Sequence, residues 1–297
     1  MKILTRTLRA ILSLAILIAA FPASAQIFYK VEGNGLAAPS YLFGTHHMAP
    51  ADFLDSFKQL PEVMEQTQAV VGEIDMTGNP MQLQMDMAPY MMAPSDSTLS
   101  QLVTPEVLAD MSAKFKPLAP MEGMELAMFE PMRPMVVTTL VSLSMVQKSM
   151  PGFDPSQQLD TRFQRLYKEA GKKVIPLETA KQQAELLYCT VPIARQLETL
   201  QESLDNPEKI EQQAEKLNAS YIKQDLDALF QLTREEDDQP EFMIALLDRR
   251  NHNWMQQLPS IMSEQPSLIV VGALHLAGEE GLVNLLRSAG YTVTPVE

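Results

Sequence analysis

The chain of 297 residues is 46% hydrophobic and 20% charged, enough apolar material for a sizeable core and unlike a disordered or low-complexity sequence. Its 23 basic and 37 acidic residues leave a formal net charge of −14 at pH 7, which argues against nucleic acid or an anionic lipid surface as the main partner. One cysteine, Cys189, allows neither an intrachain disulfide nor a cysteine-built metal cluster.

At the start, Lys2, Arg6 and Arg9 precede an apolar run over 10–20, and Phe21-Pro22 leads into the small-x-small triplet Ala23-Ser24-Ala25. That is the layout of a secretory signal peptide, with cleavage expected after Ala25. The run falls short of the roughly 20 residues a spanning helix needs. No later stretch is long enough either, so the expectation is a periplasmic or secreted protein with no stable membrane insertion once the leader is gone. A lone thiol suits such an oxidising compartment.

The remainder, 26–297, reads as a single domain. Two strand-like runs, 27–31 and 40–43, flank Gly33-Asn34-Gly35, a hairpin signal. Residues 52–67 carry apolar residues at helical spacing, interrupted at Pro61, and 69–75 reads as a buried strand ending in acids. From about 76 to 155 the composition changes. Fourteen of the 20 methionines lie between Met76 and Met150, among recurring prolines, so this region is expected to be a helical insertion of short Pro-bounded segments; it is too apolar for a solvated linker. A helix over 159–170, a strand over 173–178, largely helical chain over 179–258 with an acidic break at 235–238, a strand over 267–271, a helix over 282–287 and a strand over 291–293 complete an α/β grammar.

Four predicted strands end in residues able to bind metal or move a proton: His47, Glu73 with Asp75, Glu178, and His275. Gly44-Thr45-His46-His47 and Gly272-Ala273-Leu274-His275 repeat one pattern, an apolar strand followed by Gly-x-x-His. Ligands of open α/β sheets bind outside the carboxyl ends of strands, where such side chains converge. The glycine is expected to allow a tight turn and a close ligand approach. Neutral imidazoles with carboxylates form the usual ligand set for zinc, manganese or cobalt in a hydrolytic site, where the metal brings the pKa of bound water to about 7. Singly, each residue is better read as a histidine bonding a carbonyl or an acid capping a helix; it is the four in parallel positions that point to a site.

At these residues the chain resembles the TraB/GumN family, which includes the TIKI metalloproteases and the bacterial pheromone-shutdown proteins. The matching segments are Tyr-Leu-Phe-Gly-Thr-His-His at 41–47, Val-Val-Gly-Glu-Ile-Asp at 70–75, Leu-Asp at 159–160, Pro-Leu-Glu-Thr-Ala-Lys-Gln-Gln at 176–183, Arg-Asn at 250–251 with Trp254, and Val-Gly-Ala-Leu-His-Leu-Ala-Gly-Glu-Glu-Gly-Leu at 271–282. The resemblance implies a mixed sheet flanked by helices. It also implies a divalent-metal (Mn, Co or Zn) hydrolase site made here by His47, His275 and Glu73, acting on a peptide or a related amide or ester. His46, where an apolar residue is usual, and the Met-rich insertion depart from the pattern.

In that scheme His47 and His275 are ligands, and Glu73 is the third ligand or the general base, with Glu178 as the spare carboxylate. Arg250 with Asn251 stabilises an oxyanion or binds a substrate carboxylate; the competing role for Arg250 is to pair with a strand-end acid and hold the fold. His46 reads as a supporting or surface residue and His252 as a surface one. Two other classes compete. Thioethers such as Met85, Met87, Met91, Met92 and the series Met121, Met124, Met128, Met132, Met135 suit Cu(I), although a three-and-four spacing equally describes a helix core face or an adaptable groove. The scaffold is also compatible with a protein that binds and sequesters a peptide or hydrophobic ligand without turnover.

Overall fold

The computed structural model describes residues 26–149, 154, 157–235 and 240–296. The expected leader over 1–25, most of the acidic break and the expected end of the insertion near 155 lie outside the described residues. A mixed sheet of six strands, β1 (Phe28–Gly33), β2 (Ser40–Thr45), β3 (Ala69–Gly72), β4 (Lys173–Pro176), β5 (Ser267–Gly272) and β6 (Tyr291–Pro295), runs in the order β4-β3-β5-β2-β1-β6. The expected hairpin is present. Gly33, Asn34 and Gly35 take positive φ of 82°, 46° and 83°, and β1 returns antiparallel to β2.

The four strands β4, β3, β5 and β2 are parallel, with Thr45 opposite Gly272 and Gly72 opposite both Val270 and Pro176. Their carboxyl ends therefore open on one edge of the sheet. β2 and β3 are buried throughout and β5 nearly so, as expected of parallel strands covered on both faces, which explains the continuous apolar run over 268–271. The pairing of β3 with β4 continues past the strands: Glu178 N–H donates to the Glu73 carbonyl at 2.9 Å, which sets these two acidic residues side by side.

The insertion forms helices Pro80–Met91, Leu99–Leu102, Pro105–Phe115 and Pro134–Ser149. Leu99, Phe115, Leu126, Val137 and Val141 bury against Leu200 and Leu204 of the Ile193–Asp205 helix, a core cluster distinct from the one around the sheet. Several prolines start helices. Pro61, expected to interrupt a helix over 52–67, instead opens the Leu60–Gln66 helix after a separate 3₁₀ turn at Ala51–Ser56, and Pro80 and Pro105 occupy first-turn positions behind the capping residues Asn79 and Thr104. The methionine series over 121–135 does not lie on one helix. It crosses a turn, the 3₁₀ helix Leu126–Phe129 and the start of Pro134–Ser149, with Met121 and Met128 exposed, so helical spacing there does not define a common face.

The two Gly-x-x-His glycines differ, and neither has a positive φ. A Cβ on Gly44 would come within 2.9 Å of Ala273 Cα and Leu276 Cδ1, whereas one on Gly272 would make only ordinary contacts, at 3.4 Å to Glu73 Oε1 and 3.6 Å to His275 Cδ2. Gly44→Ala is accordingly expected to destabilise by about 1–3 kcal/mol through overpacking. Gly272→Ala is expected to stay within about 1 kcal/mol of the parent. Urea denaturation of the two variants checks the contrast.

Candidate functional site

The helix that carries Arg250 is irregular just before it. Pro240–Met243 passes into a π turn at Ile244–Asp248 and then into Arg249–Met255, and the wider turn precedes three inward-facing residues, Arg250, Asn251 and Trp254. Arg250 is only 6% exposed and reaches the strand ends. Its Nη2 donates to Glu73 Oε2 and to Glu178 Oε1, each at 2.5 Å, and its Nε donates to Glu178 Oε2 at 3.1 Å. Nη1 donates to His275 Nε2 at 3.0 Å and to the Leu246 carbonyl at 3.2 Å. A guanidinium has five N–H donors, and all five are used. Trp254 stacks beneath, 4.7 Å from the guanidinium carbon and 4.4 Å from the His275 ring. Arg250 therefore pairs with the strand-end acids, and no N–H is left for a substrate oxyanion.

His275, on the 3₁₀ turn Ala273–Leu276 after β5, is held in one tautomer. Its Nδ1–H donates to Asn251 Oδ1 at 2.7 Å, and its Nε2 lone pair faces Arg250; Asn251 in turn donates to the carbonyls of His275 and Glu280. Burial lowers the His275 pKa to about 3, the attraction of Glu73 being insufficient to offset it, so the ring is neutral. For Glu73, burial pushes the pKa up, but His275 and Arg250 beside it, with the Gly272 N–H at 2.9 Å from Oε1, prevail and hold it at about 2. Gln183 Nε2 spans the two carboxylates, 3.1 Å from Glu73 and 3.2 Å from Glu178.

His47 stands apart from this cluster. Its Nδ1 lies 3.4 Å from Asp160 Oδ2, and the other oxygen of Asp160 accepts from Thr45 Oγ1 at 2.7 Å. The side chain is 66% exposed by area and lines a cavity. The carboxylate of Asp160 beside it raises its pKa to about 9 against the opposing effect of burial, so it carries a proton at neutral pH. His46 is not a surface residue: its Nε2 is buried, its ring lies 5.2 Å from Tyr221, and burial with the neighbouring His47 lowers its pKa to about 4. His252 is exposed, against Glu280 at 2.6 Å. Asp75 is also exposed, accepting from its own loop at Thr77, and takes no part in the site.

Both histidine groups line one cavity of about 480 Å³. Thr45, His47, Glu73, Asp160, Arg250 and His275 supply its polar wall, and Leu83, Met87, Leu187, Leu217, Leu229 and Leu246 much of the rest. The volume falls in the roughly 300–1,000 Å³ range of small-molecule sites. The expected ligand set does not fit a divalent ion in this arrangement. Among the described residues no group of three His, Cys, Asp or Glu side chains is placed to hold a metal. Arg250 takes the Nε2 lone pair of His275 and Oε2 of Glu73, and His47 is paired with Asp160. Asp160, Gln183 and Trp254 lay within the matching sequence segments but not at strand ends, and only the fold discloses their roles.

The description TraB/PrgY/gumN family matches residues 27–295, and the chain belongs to that family. Comparison with curated proteins and with solved structures gave no match.

The pKa shifts predict acid sensitivity. Glu73 titrates below its ordinary 4.5, so the stability it contributes is present above that pH and lost on the way down to about 2. His275 titrates at about 3 instead of 6.5, so the unfolded chain binds a proton that the folded one refuses throughout that interval, and stability falls there too. His47 has the opposite sense, losing its contribution as pH rises through about 9. The urea midpoint is expected to fall steadily between pH 6.5 and 3, and an unchanged midpoint would contradict the burial of His275 and Glu73. Asp160→Asn is expected to move the His47 pKa from about 9 toward 6.5, followed by NMR of its imidazole protons.

Proposed function

We propose that the chain is a hydrolase that cleaves a peptide, or a related amide or ester, lodged in this cavity. The observation that carries the proposal is the gathering of an ionised carboxylate, a neutral imidazole and a protonated, carboxylate-backed imidazole on one wall of a cavity lined elsewhere by apolar side chains. The apolar lining suits hydrophobic side chains of a substrate. His47, oriented by Asp160 and protonated at neutral pH, is placed to donate a proton to a departing amine or alkoxide. Glu73, with a pKa of about 2, is a weak base and serves as a fixed negative charge. No step is assigned to the manganese, cobalt or zinc ion implied by the resemblance, because His47, His275 and Glu73 do not converge on one point. Export is part of the proposal. It rests on the leader motif, and no helix among the described residues is long and apolar enough to cross a membrane.

A second reading, capture of an apolar peptide or ligand without turnover, is favoured by the internal saturation of Arg250, which leaves the buried part of the wall satisfied without a substrate. A mixed peptide library and chromogenic esters, offered with and without added manganese, cobalt or zinc, separate the two. Turnover that drops about 100-fold or more in His47→Gln supports hydrolysis. Stoichiometric retention of library members by native mass spectrometry, with no cleavage under any condition, selects the binding reading instead.

A further inference from the structure

We infer that Arg250 is the resident cation of this site: its guanidinium stands where a divalent ion would have to sit among Glu73, Glu178 and His275, and it excludes that ion. The inference concerns which group supplies the positive charge of the cluster and does not depend on whether the cavity turns a substrate over.

Two carboxylates set side by side by the β3–β4 pairing, with side chains 15% and 10% exposed, require a positive partner nearby. The chain supplies one. Nη2 touches both carboxylates, Nε closes the fork on Glu178, and Nη1 occupies the lone pair of His275. These are the atoms a divalent ion would need as ligands. An ion draws its donors toward one point at about 2.0–2.2 Å. Here they are spread over three nitrogens of a planar group, and the remaining guanidinium hydrogen is tied to the Leu246 carbonyl of the same helix. The Trp254 ring beneath holds the side chain further. An entering dication would have to strip four hydrogen bonds from Arg250, those to Glu73, Glu178 and His275, and then share a buried site with its charge.

A consequence follows for the chain without the guanidinium. As they stand, Glu73, Glu178 and His275 do not converge on one point; freed of the guanidinium, the two carboxylates and the neutral imidazole, held in its metal-binding tautomer by Asn251, would be able to close on an ion, donors of the kind zinc or manganese takes. Arg250 is thus what distinguishes a closed ion-pair cluster from a metal site in this chain.

The test uses tag-free mature protein, stripped with EDTA and then titrated with zinc or manganese. Metal content is measured by mass spectrometry, thermal midpoint by circular dichroism, and manganese broadening of the His275 imidazole resonances by NMR. The wild type is expected to retain no stoichiometric ion, to keep its midpoint in EDTA, and to show no selective broadening at His275. Arg250→Gln is expected to gain an ion bound about tenfold or more tighter than any wild-type uptake, with a midpoint that rises on adding zinc. Near one equivalent in the wild type, lost in Glu73→Gln or His275→Ala, overturns the inference. A folded Arg250→Gln that still takes up no ion overturns it as well. Should Arg250→Gln fail to fold, broadening of His275 in the wild type decides: its presence overturns the inference and its absence supports it. Peptide turnover is read in neither arm, so failure of the hydrolase proposal leaves a separate signature.

Discussion

Burying a guanidinium is costly unless every N–H finds an acceptor, and a buried ion pair with an unmatched charge costs several kcal/mol. Arg250 meets that constraint with two glutamates, a histidine and a carbonyl of its own helix. The acceptors come from the ends of β3 and β4, from the turn after β5, and from the π turn, so one side chain ties the edge of the sheet to the helix packed across it. The same contacts set the charge states. Glu73 stays ionised because Arg250 and the Gly272 N–H adjoin it, and His275 stays neutral because it is buried beside a permanent cation.

The parallel register is what allows this. Four strands that share a direction present their carboxyl ends at one edge, and the continued pairing of Glu73 with Glu178 makes two like charges neighbours. The helical insertion then adds apolar lining. The Pro80–Met91 helix has no buried residue of its own, yet Leu83 and Met87 face the cavity while Met81 and Met85 are exposed. Polar wall and apolar lining thus come from different parts of the chain, the former from the sheet and the helix packed against it, the latter largely from helices around them.

Much of this was legible before the structure. The β-branched run of β5, the glycine-flanked hairpin and the amphipathic Leu159–Glu169 helix each announce themselves by period and turn chemistry. Glu73, Glu178 and His275 were found by their place at strand ends, and Arg250 and Asn251 by the family pattern. What pattern could not convey is mutual geometry. Asp160 begins a helix and carries no strand-end signal, so its approach to His47 is a product of tertiary packing. The closeness of β2 to the turn after β5, which demands a glycine at 44, is likewise invisible along the chain. Ligand types at strand ends pointed to a metal; that a neighbouring helix brings the Arg250 cation to the same carboxylates is a matter of tertiary packing that spacing does not reveal.

The most direct measurement is a double-mutant cycle between Arg250 and Glu178, comparing Arg250→Met, Glu178→Gln and the pair by chemical denaturation near neutral pH. If the guanidinium is the partner on which the buried carboxylates depend, the two changes are strongly non-additive, with a coupling of about 1–3 kcal/mol. Additivity to within about 0.3 kcal/mol would mean that the two side chains do not interact in the folded protein.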